Sequence, residues 1–203
     1  VLASEDPALV AVLNRAQELG FLGPGLIEPH IDHAERFARA HFGPDPKRAL
    51  DLGSGGGLPG LVLATTWPQC QWVLLDANER RTTFLQQAVN ELGLVSQVEV
   101  VRGRAEELAH LPHWRASRDL VTARSFGPPA VTAECAAGFL HAAGMLIVSE
   151  PPDSDRRWDV PALEALGLTI GPESNGCQVL IQSTLCPTRY PRRVGIPAKR
   201  PLF

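Results

Sequence analysis

The chain has 203 residues, 44% of them apolar and 20% charged, which suffices for one sizeable core but is tight for two full domains. No apolar run approaches the roughly 18 residues of a membrane span, the opening VLASEDPALV is acidic where a signal peptide is basic, and Cys70, Cys135, Cys177 and Cys186 form no C-x-x-C pair. A cytoplasmic protein with no membrane segment and four reduced thiols is therefore expected. The net charge of −3 is unevenly spread, because the last 15 residues hold five basic side chains and no acid, whereas the remainder has 14 basic against 22 acidic residues, or −8. Such a tail reads either as a contact for a polyanion or as a solvated end, and charge alone does not separate the two.

Taken in chain order, Ser4 is placed to cap a first helix through about Leu19, ended by Gly20, and Glu28 to Phe42 forms a second that gathers Ile31, Ala34, Phe37, Ala38 and Phe42 on one face. From Arg48 strands and helices alternate: RALDLG, a helix started by Pro59, QWVLLD, NERRTTFLQQAVNELG, QVEVVRG, a short AEELAHL helix, DLVTARS, a helix from Pro128 to Leu140, and GMLIVSE. LGLTIG and CQVLIQST, joined by PESNG, then read as an antiparallel hairpin. The fold class expected is α/β, a doubly wound, Rossmann-like and mostly parallel sheet with a C-terminal hairpin. It divides into an N-terminal helical cap (1–45), a cofactor domain (46–188) and the basic tail (189–203).

The stretch LDLGSGGGLPG follows the first strand, where ligands of doubly wound sheets bind. Gly55, Gly57 and Gly60 satisfy the dinucleotide pattern G-x-G-x-x-G, but from Asp51 the same residues read D-x-G-x-G-x-G. A pyrophosphate beside Asp51 suffers repulsion, whereas the amino group and sulfonium of S-adenosylmethionine gain from that acid. Asp76, closing the second strand 21 residues after Gly55, suits the ribose hydroxyls of either cofactor. His30 with His33, and His110 with His113, lack the further ligands of a metal site, so no metal is expected.

LDLGSGGGLPG, LLDANERRTTFL, RGRAEEL, TARSF and YPRRVGIPAKRPL together resemble the glucose-inhibited division protein B family, from about Arg48 to the C-terminus. The resemblance implies a class I methyltransferase that uses S-adenosylmethionine to modify N7 of a guanine in 16S ribosomal RNA, with the small ribosomal subunit or its RNA as partner. It also implies cofactor contacts at Asp51, Gly53, Gly55, Gly57, Leu58, Asp76, Ala105, Glu106 and Arg124. Arg124 is the positioning residue, with an ion pair to Glu134 or Asp119 as the alternative for its guanidinium, and the protein is expected to be a monomer. Arg189, Arg192, Arg193, Lys199 and Arg200 become candidate RNA contacts. Guanine N7 carries a lone pair and no proton, so transfer needs orientation rather than a general base.

Three positions depart from the family pattern: Ser149–Glu150 stands where Lys-Gly is usual, the family's aromatic N-terminal segment is not visible in residues 1–47, and R-A-F reads R-S-F. An acid on the RNA side leaves open a relative that methylates a small molecule, or a non-catalytic cofactor-binding module on the ribosome.

Overall fold

The computed structural model describes residue 3 and residues 6–151 and 157–203; the expected cap Ser4 lies outside them. Helix α1 (Pro7–Glu18) is capped by Asp6, whose carboxylate accepts the N–H groups of Ala8 and Leu9 at 2.9 and 3.4 Å. Helix α2 (Ile27–Ala40) buries Ile27, Ile31, Ala34, Phe37 and Ala40. Phe42, expected on that face, falls beyond the helix end and is 41% exposed.

The alternation that follows matches the sequence reading closely: β1 (Arg48–Leu52), α3 (Gly60–Thr66), β2 (Gln71–Asp76), α4 (Glu79–Glu91), β3 (Val98–Arg102), α5 (Ala105–Leu108), β4 (Arg118–Ala123), α6 (Pro129–Ala137) and β5 (Leu140–Ser149). Leu140 opens β5 rather than closing α6, since Gly138 ends the helix one turn earlier. Helix α7 (Val160–Ala165) and helix α8 (Ile196–Lys199), both too short to show a period in the sequence, complete the helices, with β6 (Leu168–Ser174) and β7 (Cys177–Gln182) between them. The hairpin turn is Asn175–Gly176 alone, both with positive φ, as a two-residue turn between twisted strands requires.

The seven strands lie in the order β3-β2-β1-β4-β5-β7-β6, with β7 antiparallel to both neighbours. This differs from the dinucleotide-binding order 3-2-1-4-5-6 by a strand inserted antiparallel between β5 and β6. Strand alternation sorts side chains onto two cores. Ala49, Trp72, Leu74, Leu120 and Ile147 face α1 to α4, while Leu50, Leu52, Val73, Leu75, Val121 and Leu146 face α5, α6 and α7. The carboxyl ends of β2, β1, β4 and β5 therefore form a row, and the candidate site residues stand along it. Among the described residues no helix is long and apolar enough to cross a membrane.

The C-terminal segment is folded onto the domain. Glu134 of α6 is fully buried, and its carboxylate accepts the Arg192 backbone N–H at 2.7 Å, Nε at 2.8 Å and Nη2 at 2.6 Å. Glu106 accepts the Gly195 N–H at 3.1 Å, and Arg115 binds the carbonyls of Cys186 and Tyr190.

Candidate cofactor and substrate site

Three cavities meet at Gly53, Arg124 and Phe126. One of about 180 Å³ lies over the glycine loop, lined by Phe21, Gly53, Gly55, Leu58, Arg81 and Arg124 among others. One of about 40 Å³ lies beside Asp76, Ala105 and Glu106, and one of about 570 Å³ opens between α2 and the ends of β4 and β5.

The loop owes its form to close approaches. Gly53 has φ +71°, and a Cβ there would lie 2.5 Å from the Phe126 ring. Gly55, with φ +54°, donates its N–H to Asp76 Oδ2 at 3.0 Å, and Asp76 Oδ1 accepts the Asn78 N–H at 2.8 Å. Arg81 Nη1 stands 3.6 Å from the same carboxylate. Asp76 thus clamps the loop of the first strand to the turn after the second, and each oxygen retains a lone pair for a ribose hydroxyl.

Two expected ligand contacts are corrected. Asp51 shares the face of Ala49 and points under the sheet end, 1% exposed, with Oδ1 accepting the Thr122 hydroxyl at 2.9 Å and Oδ2 the Gly60 N–H at 3.2 Å. It ties β1 to β4 and to the start of α3, and lines none of the three cavities. Burial pushes its pKa up to about 6, against the opposing pull of those hydrogen bonds and of Arg124. Gly57 is also turned inward, where a Cβ would meet Leu61 at 2.4 Å, so its absent side chain serves packing rather than a ligand.

Arg124 follows β4, and Ser125 with φ +55° turns the chain so that Arg124 and Phe126 both line the cleft. Neither alternative ion pair is made. Glu134 is held by Arg192, and Asp119 by His141 and the N–H groups of Lys47 and Arg48. Arg124 Nη2 instead lies 2.9 Å from His30 Nδ1, while the buried Nη1 has no hydrogen-bond partner among the described residues. A buried guanidinium N–H of this kind is the donor that a cofactor carboxylate fits. The methionine half of S-adenosylmethionine therefore suits the loop cavity, with Leu58 beneath and Arg124 beside it. The Asp76 recess is little larger than one water's share of liquid volume because Phe126 lies across Gly53, so an adenosine there requires that ring to turn aside.

The N-terminal segment contributes more than a cap. Phe21, Leu22 and Gly23 wall the loop cavity, and a Cβ on Gly56 would lie 2.9 Å from the Phe21 carbonyl. His30, His33 and Arg36 of α2 line the large cavity. Burial, then the charges of Arg124 and Arg36, bring the His33 pKa down to about 4, so its ring is neutral at pH 7. Among the described residues no group of three metal-ligating side chains gathers here.

Glu150, the acid found in place of a base, is not a free charge. Its side chain is 3% exposed, with Oε2 accepting Arg157 Nη1 at 2.5 Å and Oε1 accepting the indole N–H of Trp158 at 2.8 Å. Among the candidate RNA residues, Arg189, Arg193, Lys199 and Arg200 are exposed, and Arg192 spends its guanidinium on Glu134. Arg189 and Arg193 border a groove of about 710 Å³ with Glu106 and His110.

The residues 28–150 match the family model described as rRNA small subunit methyltransferase G. A curated relative named ribosomal RNA small subunit methyltransferase G from Prochlorococcus marinus (strain NATL2A) is 33% identical over 165 residues, covering 75% of this chain and 66% of the relative. One of the same name from Dehalococcoides mccartyi (strain CBDB1) is 35% identical over 169 residues, covering 77% and 72%. The chain spans about two thirds of the length of such relatives. Among solved structures, a methyltransferase from Geobacter sulfurreducens superposes with a TM-score of 0.60 at 16% identity, covering 87% of this chain and 90% of that one. An O-methyltransferase family protein from Burkholderia thailandensis gives 0.56 at 15% identity, covering 88% and 60%, and both likenesses concern the fold. The chain belongs to the rRNA small subunit methyltransferase G family.

Proposed function

We propose that the protein transfers a methyl group from S-adenosylmethionine to N7 of a guanine in 16S ribosomal RNA, in the bacterial cytoplasm. The observation that supports this reading best is Arg124, which lines both the glycine-loop cavity and the 570 Å³ cavity and has a buried Nη1 with no partner among the described residues, as a guanidinium awaiting a carboxylate would. The cofactor supplies a methyl group on a sulfonium. Asp76 would hold the ribose hydroxyls, Ala105 and Glu106 would border the adenine, and Arg124 would anchor the carboxylate so that the methyl faces the larger cavity. N7 attacks with its own lone pair, so the chain's task there is to orient the base and exclude water. Neutral His33 adds no charge to the cavity wall, and the exposed arginines and lysine of the C-terminal segment suit the phosphates of the flanking RNA.

The acid that favoured a small-molecule substrate supports that reading less once its charge is met by Arg157. The test is transfer of labelled methyl to small ribosomal subunits, and to their free RNA, from cells lacking the endogenous enzyme. Label in the RNA as 7-methylguanosine is expected; cofactor binding without RNA labelling overturns the proposal.

A further inference from the structure

We infer that Trp158 is the stacking platform for the guanine and that Glu150 is the positioning residue that sets its ring. The inference rests on the methyl-transfer reading and names how the same site holds its base.

The ends of β4 and β5 are paired at Ala123 and Val148, so the backbones that carry Arg124 and Glu150 beyond them leave the sheet one strand spacing apart, about 4.8 Å. A purine whose N7 meets a methyl held at Arg124 reaches across that spacing. Trp158, Phe126, Arg124 and Glu150 all line the one cavity that opens there. Trp158 is held at three points: its indole N–H by Glu150 at 2.8 Å, the accepting carboxylate by Arg157, and its ring by Phe203, with centroids 6.5 Å apart. An indole N–H removed from water needs an acceptor, and an aromatic side chain fixed at both χ angles offers a stacking face with little left to order on binding. The glycine usual at position 150 in the family resembled has no side chain and cannot accept that N–H. The acid and the tryptophan therefore work as a pair, and the charge that faces the RNA side in the sequence is spent inside the wall.

Tryptophan fluorescence tests this, because Trp67, Trp72 and Trp114 are buried and Trp158 faces the cavity. Titration of the intact protein with GMP, in the presence of S-adenosylhomocysteine, is expected to quench the wild type. The W158F variant should lose the quench while binding the cofactor product with unchanged affinity by calorimetry. With small-subunit RNA as acceptor, E150A should raise KM about tenfold, within the range for losing one stacked base, and E150Q, whose amide oxygen still accepts the indole N–H, should recover most of it. No quench of the wild type, an equal quench of W158F, or an unchanged KM in E150A overturns the inference. A Trp158-dependent quench in a protein that labels no RNA supports the base site and removes the methyl-acceptor reading instead.

Discussion

Arg124 and His30 are 94 residues apart in sequence, yet Nη2 of the one lies 2.9 Å from Nδ1 of the other, while the arginine's Nη1 is buried with no hydrogen-bond partner among the described residues. Acceptance by Nδ1 requires the neutral imidazole with its proton on Nε2. The arginine is therefore oriented from α2 before any ligand arrives. Lysine at 124 keeps the charge but has neither the fork nor the reach to serve His30 and a carboxylate together. Arg124→Lys is expected to weaken S-adenosylmethionine binding about tenfold by calorimetry, and His30→Ala by a smaller factor in the same direction. Wild-type affinity in R124K would remove Arg124 from the cofactor site.

Asp76 acts on the cofactor twice, through its remaining lone pairs and through the Gly55 N–H that shapes the loop. Asp76→Ala should weaken binding at least tenfold, about 1.4 kcal/mol. Asp76→Asn should fall between the two, because one amide face presents a donor where Gly55 or Asn78 already donates. Equal calorimetric affinity of wild type and D76A would dissolve the assignment of the ribose subsite.

The βα frame was legible because each strand–helix switch is marked locally, by glycines after β1, by Asn78 capping α4 and by Asn-Gly at the hairpin. Side-chain direction was less so. The motif placed Asp51 near the ligand, but alternation along β1 puts it on the Ala49 face, beneath α3, and that parity was available in the sequence. The roles of Phe21, His30 and His33 were not available, because they depend on how α1 and α2 pack over the loop, a long-range docking that brings the Phe21 carbonyl and Ala16 against Gly56. Trp158 stands outside any periodic element in the sequence, and its partner Glu150 was visible only as a misplaced charge.

Asp51 has a pH signature. Its folded pKa of about 6 lies above the value of 3.8 it has when free of its surroundings, so between these values the folded state binds the extra proton and stability falls as pH rises. His33, lowered from 6.5 to about 4, works in the opposite sense over much of the same window, since there the unfolded state binds the extra proton. The wild type should therefore show little net slope from these two groups between pH 4 and 6. Asp51→Asn keeps partners for Gly60 and Thr122 and removes one of the opposed slopes. Relative to wild type, D51N should gain about 2 kcal/mol between pH 4 and 7, most of the roughly two pKa units of difference at 1.36 kcal/mol each. Denaturant melts at the two pH values measure the difference, and a difference independent of pH would mean that Asp51 ionises normally.

The basic residues of the C-terminal segment divide by what they touch. Arg192 gives Glu134 two hydrogen bonds from its guanidinium and one from its backbone N–H, and truncating the side chain leaves a carboxylate with no exposure and no countercharge in the second core. Breaking a buried pair from one side costs about 3–5 kcal/mol, so Arg192→Ala should lower the melting temperature sharply and reduce RNA binding only as a consequence of unfolding. Arg189, Arg193, Lys199 and Arg200 are exposed, and alanine at any of them should leave thermal stability nearly unchanged. Each that meets a phosphate should instead reduce the slope of log affinity against log salt by about 0.7–0.9. Titrations of small-subunit RNA at several salt concentrations, run beside thermal melts of the same variants, separate the two groups. A quadruple variant lacking the four exposed charges but keeping the wild-type salt slope would show that RNA approaches by another face.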